Sequence, residues 1–182
     1  MVVYTKTGDK GETGLFRPGA NKKIRVSKDS TKINALGAVD ELNSFIGVTV
    51  AASANKELKK TLNNIQRNLL TLGSILAGSK LRFFASKTTQ LEKLIDKMDK
   101  ELPPLNNFIL PGGSVTAANL QFCRSLTRRA ERALVALNKI EPVKPQILKY
   151  INRLSDFFFM LARQANFDEG VADVVWITKK KK

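Results

Sequence analysis

The chain contains no histidine, one cysteine, one tryptophan and two tyrosines among its 182 residues. Without imidazole, His-based triads, zinc-hydrolase sites and imidazole proton shuttles are all excluded. The lone Cys123 excludes an intrachain disulfide and any cysteine-based metal cluster, which suits a reducing, cytoplasmic compartment. Catalysis must then rest on carboxylates, Arg, Lys, backbone dipoles or a cofactor. No apolar run approaches the roughly 20 residues of a membrane span and no signal peptide precedes the polar start, so no membrane partner is expected. Acidic residues are few as well. The 16 Asp and Glu face 31 Lys and Arg, a net charge of +15.

Such an excess attracts nucleic acid, an anionic membrane or a polyanionic small molecule. Part of it lies in the terminal Lys179–Lys182 and in Lys22, Lys23 and Arg25 of a loop. Most of it reads as solvated surface with local anion sites within it. The length suits one domain with a full core: an N-terminal segment over 1–30, helices over 31–167 and a tail over 168–182.

Hydrophobic spacing predicts five helices. Over 56–77, Leu58, Leu62, Ile65, Leu69, Leu72 and Leu76 alternate steps of four and three, the seam of a bundled helix. A helix over 31–54 turns Leu36, Val39, Leu42, Ile46 and Val50 inward, and one over 87–101 carries Leu91, Leu94, Ile95 and Met98. Gly112-Gly113 stops the chain, and Ser114 caps a helix to about Asn138. Pro142 and Pro145 open the last helix, to about Asn166, and Asp173 to Trp176 read as a short extended end. With no convincing period-two strand, the fold class is all-α: a five-helix bundle with an irregular N-terminal segment.

The segment Tyr4–Gly14 (YTKTGDKGETG) is too polar to build a core. Its glycines let backbone N–H groups converge, and Lys and Thr add charge and hydroxyl donors, as a phosphate chain requires. On 114–138, Phe122, Leu126, Ala130, Ala133 and Leu137 share the predicted core face. Arg124, Arg128 and Glu131 lie opposite with Arg132 beside them, either as a solvated face or as a polyphosphate site suited to the guanidinium fork. The last helix sets Ile147, Ile151, Leu154, Phe158, Leu161 and Ala165 inward. Asn152, Asp156, Phe159 and Arg163 line its other side, as nucleotide-reading and arginine- or water-holding groups or as a cap network or subunit contact. Asp40, Asn43, Ser44 and Gly47 form a third polar stripe that fits an interface. Phe108-Ile109-Leu110 before Pro111-Gly112-Gly113 is either a rigid pocket rim or a staple onto the following helix.

Taken together, YTKTGDKGETG (4–14), RVSKD (25–29), VDELNSFIG (39–47), FILPGGS (108–114), RRAER (128–132) and NRLSD (152–156) resemble the PduO-type ATP:cob(I)alamin adenosyltransferases, in the family's order along nearly the whole chain. The resemblance implies a homotrimer with active sites between subunits, which transfers the 5′-deoxyadenosyl group of ATP to cobalt and releases triphosphate. It implies that Thr5, Lys6, Thr7, Gly8, Thr13, Gly14 and Lys28 wrap the phosphates. Arg128, Glu131, Arg132 and Asn152 would hold ATP from the helical side. Arg124 would pair with Asp40 of a neighbouring subunit, making Arg124, Arg128 and Asp40 the catalytic group. Phe108 would sit under the corrin ring and exclude the cofactor's own base. ATP, Mg²⁺ and cobalamin are the implied small molecules, and a flavoprotein reductase or a cobalamin-dependent acceptor enzyme the implied protein partner. No residue is assigned to a metal.

The sequence departs from the family pattern in a loop about five residues longer over 18–23, in Gln121 where many members carry His, and in Leu36 where an aromatic is common. Two rival functions remain. A basic helical nucleic-acid-binding protein lacks a recognition helix free of core duties, and only 7% of residues are aromatic. A regulatory trimer that binds ATP without turnover would carry the same motifs.

Overall fold

The computed structural model describes residues 4–15 and 24–177; the longer loop at 18–23 and the lysine tail lie outside the described residues. Five helices follow two short strands: β1 (Glu12–Leu15), β2 (Ile24–Ser27), α1 (Thr31–Ala52), α2 (Lys56–Leu76), α3 (Ser86–Glu101), α4 (Val115–Asn138) and α5 (Pro145–Asp168). The helix starts follow local chemistry. Ser30 Oγ accepts from Ile33 N, Asn55 Oδ1 from Glu57 N and Leu58 N, and Ser114 Oγ from Ala117 N. Each side chain satisfies backbone donors that the first turn leaves without partners.

The helices pack in the spatial order α2–α1–α4–α5–α3. The predicted seams fill the core: Leu62, Ile65, Leu69, Leu72 and Leu76 of α2 meet Val39, Leu42 and Ile46 of α1, and all are buried. Between α4 and α3, α5 buries most of its girth, Tyr150, Phe157 and Met160 included, and leaves the stripe of Asn152 and Asp156 exposed. Tyr150 donates no proton readily there, since burial pushes its phenol up to about 12 while its oxygen accepts from Asn68 Nδ2 at 3.1 Å.

The departures from expectation are local. The N-terminal segment is not wholly irregular: β1 and β2 pair antiparallel, Glu12 opposite Ser27 and Leu15 opposite Ile24. With four residues each and Leu15 alone buried, the strands carry no alternation to detect. Phe122, expected in the core, is half exposed and packs its ring edge-on to Phe45 of α1, centroids 4.6 Å apart. Leu94 of α3 is also exposed. No run of membrane-spanning length was expected, yet by length and composition α1 is apolar enough to cross a bilayer. Its inner face is instead spent on α2 and α4, with Asp40 and Glu41 near its middle.

Candidate functional site

The N-terminal arm closes on itself through its own basic residues. Lys28 Nζ donates to the Gly8 carbonyl at 2.9 Å, and the Arg25 guanidinium to the Thr7 carbonyl and to Glu12. Thr5 and Thr7 share a hydroxyl contact of 2.8 Å, and Lys28 N reaches Gly11 O at 2.8 Å. Lys6 sits at φ 56, a left-handed conformation uncommon for a side-chain-bearing residue, and Gly11 at φ 79. The fold thus gathers Thr5, Lys6, Thr7, Gly8, Thr13, Gly14 and Lys28 into one polar arm. Thr13 and Lys28 face α1 across a cleft of about 610 Å³ shared with Asp40 and Asn43. Asn43 Oδ1 is buried there without a partner. Asn43 and Gly47 also face α2: Gln66 Nε2 donates to Asn43 O, and it would lie 3.4 Å from a Cβ on Gly47. That part of the third polar stripe is an internal contact.

A larger cleft of about 930 Å³ opens between α3, α4, α5 and the segment before α4. Arg124 and Arg128 project into it from α4, Asp156 and Phe159 from α5, and Phe108 from the rim. Phe108 is 80% exposed, so it does not staple the helix. Its backbone is fixed instead: Trp176 N donates to Phe108 O at 2.7 Å and Leu110 N to Val174 O at 2.8 Å. The predicted extended end at Asp173–Trp176 therefore exists, paired with the Phe108 loop.

The charges of this cleft are unbalanced. Arg124 Nε donates to Gln121 Oε1 at 2.8 Å, and no carboxylate pairs with Arg124, Arg128 or Arg132 among the described residues. Burial first, and then the Arg128 charge, disfavour the Arg124 cation and lower its affinity for its proton. An anion entering the cleft relieves both. Of the three carboxylates that line the cleft, Glu92 and Asp156 are held by Arg153 at 3.2 and 2.7 Å, and Asp96 of α3 pairs with none of the three arginines. On the next part of the α4 and α5 faces, Asn152 Nδ2 donates to Glu131 Oε1 at 2.7 Å. Arg163 was expected on the same open face of α5 but is buried, bound to Asp173 and the Pro103 carbonyl.

The expected site residues thus form two groups, the arm with Asp40 and the α4–α5 face with Phe108; Thr13, Lys28 and Asp40 line one cleft, Arg124, Arg128 and Phe108 another. Asp40 and Arg124 share no hydrogen bond or ion pair within the single chain. Sequence reasoning missed Gln121, which orients Arg124, and Asn166, which bonds the Gly112-Gly113-Ser114 turn. Gln121 was visible only as a departure from pattern, and Asn166 only as a helix end. No cluster of three metal-ligating side chains occurs among the described residues.

A family model for cobalamin adenosyltransferase matches residues 3–165. The chain is 42% identical to a corrinoid adenosyltransferase of Bacillus subtilis, over 96% of this chain and 91% of that one. It is 40% identical to the corrinoid adenosyltransferase PduO of Citrobacter freundii over 96% of its own length, which spans 53% of that longer protein. A solved variant of a PduO-type ATP:corrinoid adenosyltransferase from Lactobacillus reuteri, complexed with cobalamin and ATP, superposes with a TM-score of 0.92 at 37% identity, covering 98% of both chains.

Proposed function

This chain belongs to the cobalamin adenosyltransferase family, and on that premise we propose that it transfers the 5′-deoxyadenosyl group of ATP to the cobalt of cob(I)alamin, forming adenosylcobalamin and releasing triphosphate. The observation that carries the reading is the company kept in one cleft. Two arginines without carboxylate partners face an exposed Phe108 on a fixed backbone. Polyphosphate and a flat apolar ring system have opposite needs, and this cleft offers both.

Cob(I)alamin is itself a strong nucleophile, so the protein need supply neither base nor nucleophile, which a chain without histidine suits. Its Co(I) lone pair forms the bond to C5′ as the C5′–O bond breaks, and the electron pair leaves with triphosphate. What the residues contribute is in-line placement and stabilisation of the departing charge. Arg128, Arg132, Lys28 and the arm's threonines do the second, and Glu131 with Asn152 orients the nucleotide. Magnesium would accompany ATP and neutralise charge on its phosphates, and no residue of this chain is assigned to hold it. Phe108 under the corrin displaces the lower base and favours four-coordinate cobalt, which is easier to reduce.

The same reading takes the whole chain as one domain acting as a cytoplasmic homotrimer, with the arm and Asp40 of one subunit completing the α4–α5 cleft of the next. Supporting this, Val48 of α1 and Phe122 of α4 leave apolar surface exposed beside Phe45, and only a third of the most apolar window of α1 is buried. Asp40 would then give Arg124 the anion it lacks within the chain. A flavoprotein reductase supplying electrons, or a cobalamin-dependent enzyme receiving product, is the protein partner this chemistry calls for. The test is anaerobic incubation with ATP, Mg²⁺ and chemically reduced cobalamin, followed by the visible spectrum. Adenosylcobalamin is the expected product; its absence under several reductants and metals would reject the enzyme reading in favour of ATP binding alone.

A further inference from the structure

Phe108 has almost no side-chain packing of its own, being 80% exposed at the rim, so its position depends on the backbone that carries it. That backbone is held by two hydrogen bonds to the C-terminal segment, Leu110 N to Val174 O and Trp176 N to Phe108 O. A pairing this short is marginal by itself. What fixes it is a cluster on α5. Arg163, 6% exposed, donates Nε to Asp173 Oδ2 at 3.0 Å and Nη2 to the Pro103 carbonyl at 2.7 Å. One turn on, Asn166 Nδ2 donates to Asp173 Oδ1 at 2.9 Å and to Gly112 O at 3.3 Å, while its Oδ1 accepts from Ser114 N at 2.9 Å.

Three stretches that α5 does not contain therefore converge on two of its side chains: the exit of α3, the turn before α4, and the C-terminal segment. Asp173 is the one acceptor shared by both side chains. Each of its oxygens takes one of the two donors, so its removal leaves a buried guanidinium half-satisfied and unties the C-terminal segment from α5.

We propose that Asp173 is a positioning residue: held by Arg163 and Asn166, it clamps the segment Asp173–Trp176 to α5 and through it sets Phe108 at the mouth of the cleft. The inference rests on the proposed role of Phe108 toward the corrinoid and extends it to a residue outside the cleft. The C-terminal segment thereby becomes part of the reaction apparatus rather than a trailing end.

The test uses the full-length protein with Asp173→Ala and the near-isosteric Asp173→Asn, beside Phe108→Ala. Hydrogen exchange of peptides covering 108–113 and 173–176 reads the clamp without any substrate. Roughly tenfold faster exchange in Asp173→Ala, with a smaller rise in Asp173→Asn, is expected, because opening of the short pairing becomes local and cheap. With ATP and cob(II)alamin bound, the absorption and magnetic-resonance signal of four-coordinate Co(II) should fall as it does in Phe108→Ala, while ATP affinity stays near that of the unaltered protein. Unchanged exchange in both Asp173 variants overturns the clamp. Faster exchange with an undiminished four-coordinate signal overturns the positioning role and leaves Asp173 a structural residue. If Phe108→Ala itself keeps that signal, the underlying reading of Phe108 fails, a result distinct from either.

Discussion

The side chain of Asn166 fills the space that a Cβ on Gly113 would need: an ideal Cβ there falls 2.2 Å from Asn166 Oδ1 and 2.5 Å from its Nδ2. Gly113 also sits at φ +103, where L side chains are strained. Gly113→Ala should therefore cost about 2–4 kcal/mol in urea unfolding, from backbone strain plus displacement of Asn166. It should also weaken corrinoid turnover, because the turn that carries Phe108 moves with it. A loss of stability below about 0.5 kcal/mol would mean that the turn relaxes freely.

Arg128 lies on the exposed side of α4, away from the core residues Leu126, Ala130 and Leu134, and lines the cleft with Arg124. Arg128→Ala should leave the fold and assembly intact and lower turnover roughly ten- to a hundredfold, the worth of one or two charge-assisted bonds to a departing phosphate. Steady-state kinetics near those of the unaltered protein would remove Arg128 from the site.

Asp40 and Arg124 belong to different clefts of one chain, and the proposed trimer joins them across an interface. Asp40→Asn and Arg124→Ala should each impair catalysis, and the double variant should lose less than the two losses combined. A double-mutant cycle with no coupling energy would dismiss the pair. Sedimentation of the protein as a monomer would dismiss the shared site altogether.

Phe108→Ala separates packing from chemistry. Because the ring is largely exposed, the melting temperature should change little and ATP affinity should hold. The reductive reaction should slow, and the defect should shrink when cobalt is supplied already as Co(I). An equal defect with Co(I) and Co(II) would place the role of Phe108 elsewhere.

Alkaline pH should destabilise the fold through two buried groups. Burial above all pushes the Cys123 thiol from 9.0 up to about 11, and the Tyr150 phenol from 10.0 up to about 12. Between those limits the unfolded chain releases protons that the native chain keeps, so stability is unaffected below about pH 9 and falls as pH rises through this window. The Cys123 share is on the order of 2–3 kcal/mol by pH 11. Urea midpoints from pH 8 to 11 should decline, and Cys123→Ala should flatten the part of the slope nearest pH 9–10. A slope identical in that variant would assign the whole effect to other groups.

Much of this was legible in the residues. A helix repeats its geometry every turn, so apolar spacing alone placed the five helices, and Ser114 marked the start of α4 to the residue. The same spacing put Arg124, Arg128 and Glu131 on one side, because the angle between residues on a helix depends only on their separation. The motifs are what single out Phe108 and the N-terminal arm as candidates.

Spacing says nothing of what packs against a helix from its flanks. On α5, Arg163 shares a stripe with Asn152 and Asp156, yet it is buried because the C-terminal segment folds back over it and brings Asp173. Phe122 looked like core and is half exposed, since α1 and α4 meet one side of it with Phe45 and leave the other open. The hairpin escaped notice because its order comes from cross-strand pairing, a relation between distant residues that neither strand encodes by itself. Sequence alone determined where the helices run, the main apolar seams they turn inward and which family pattern the chain carries. Tertiary structure alone decided which polar groups meet across segments: Asn166 with Gly112 and Ser114, Arg163 with Asp173 and Pro103, Lys28 with Gly8. Local geometry is set by the chain's own covalent repeat, whereas these contacts depend on where separate segments come to rest.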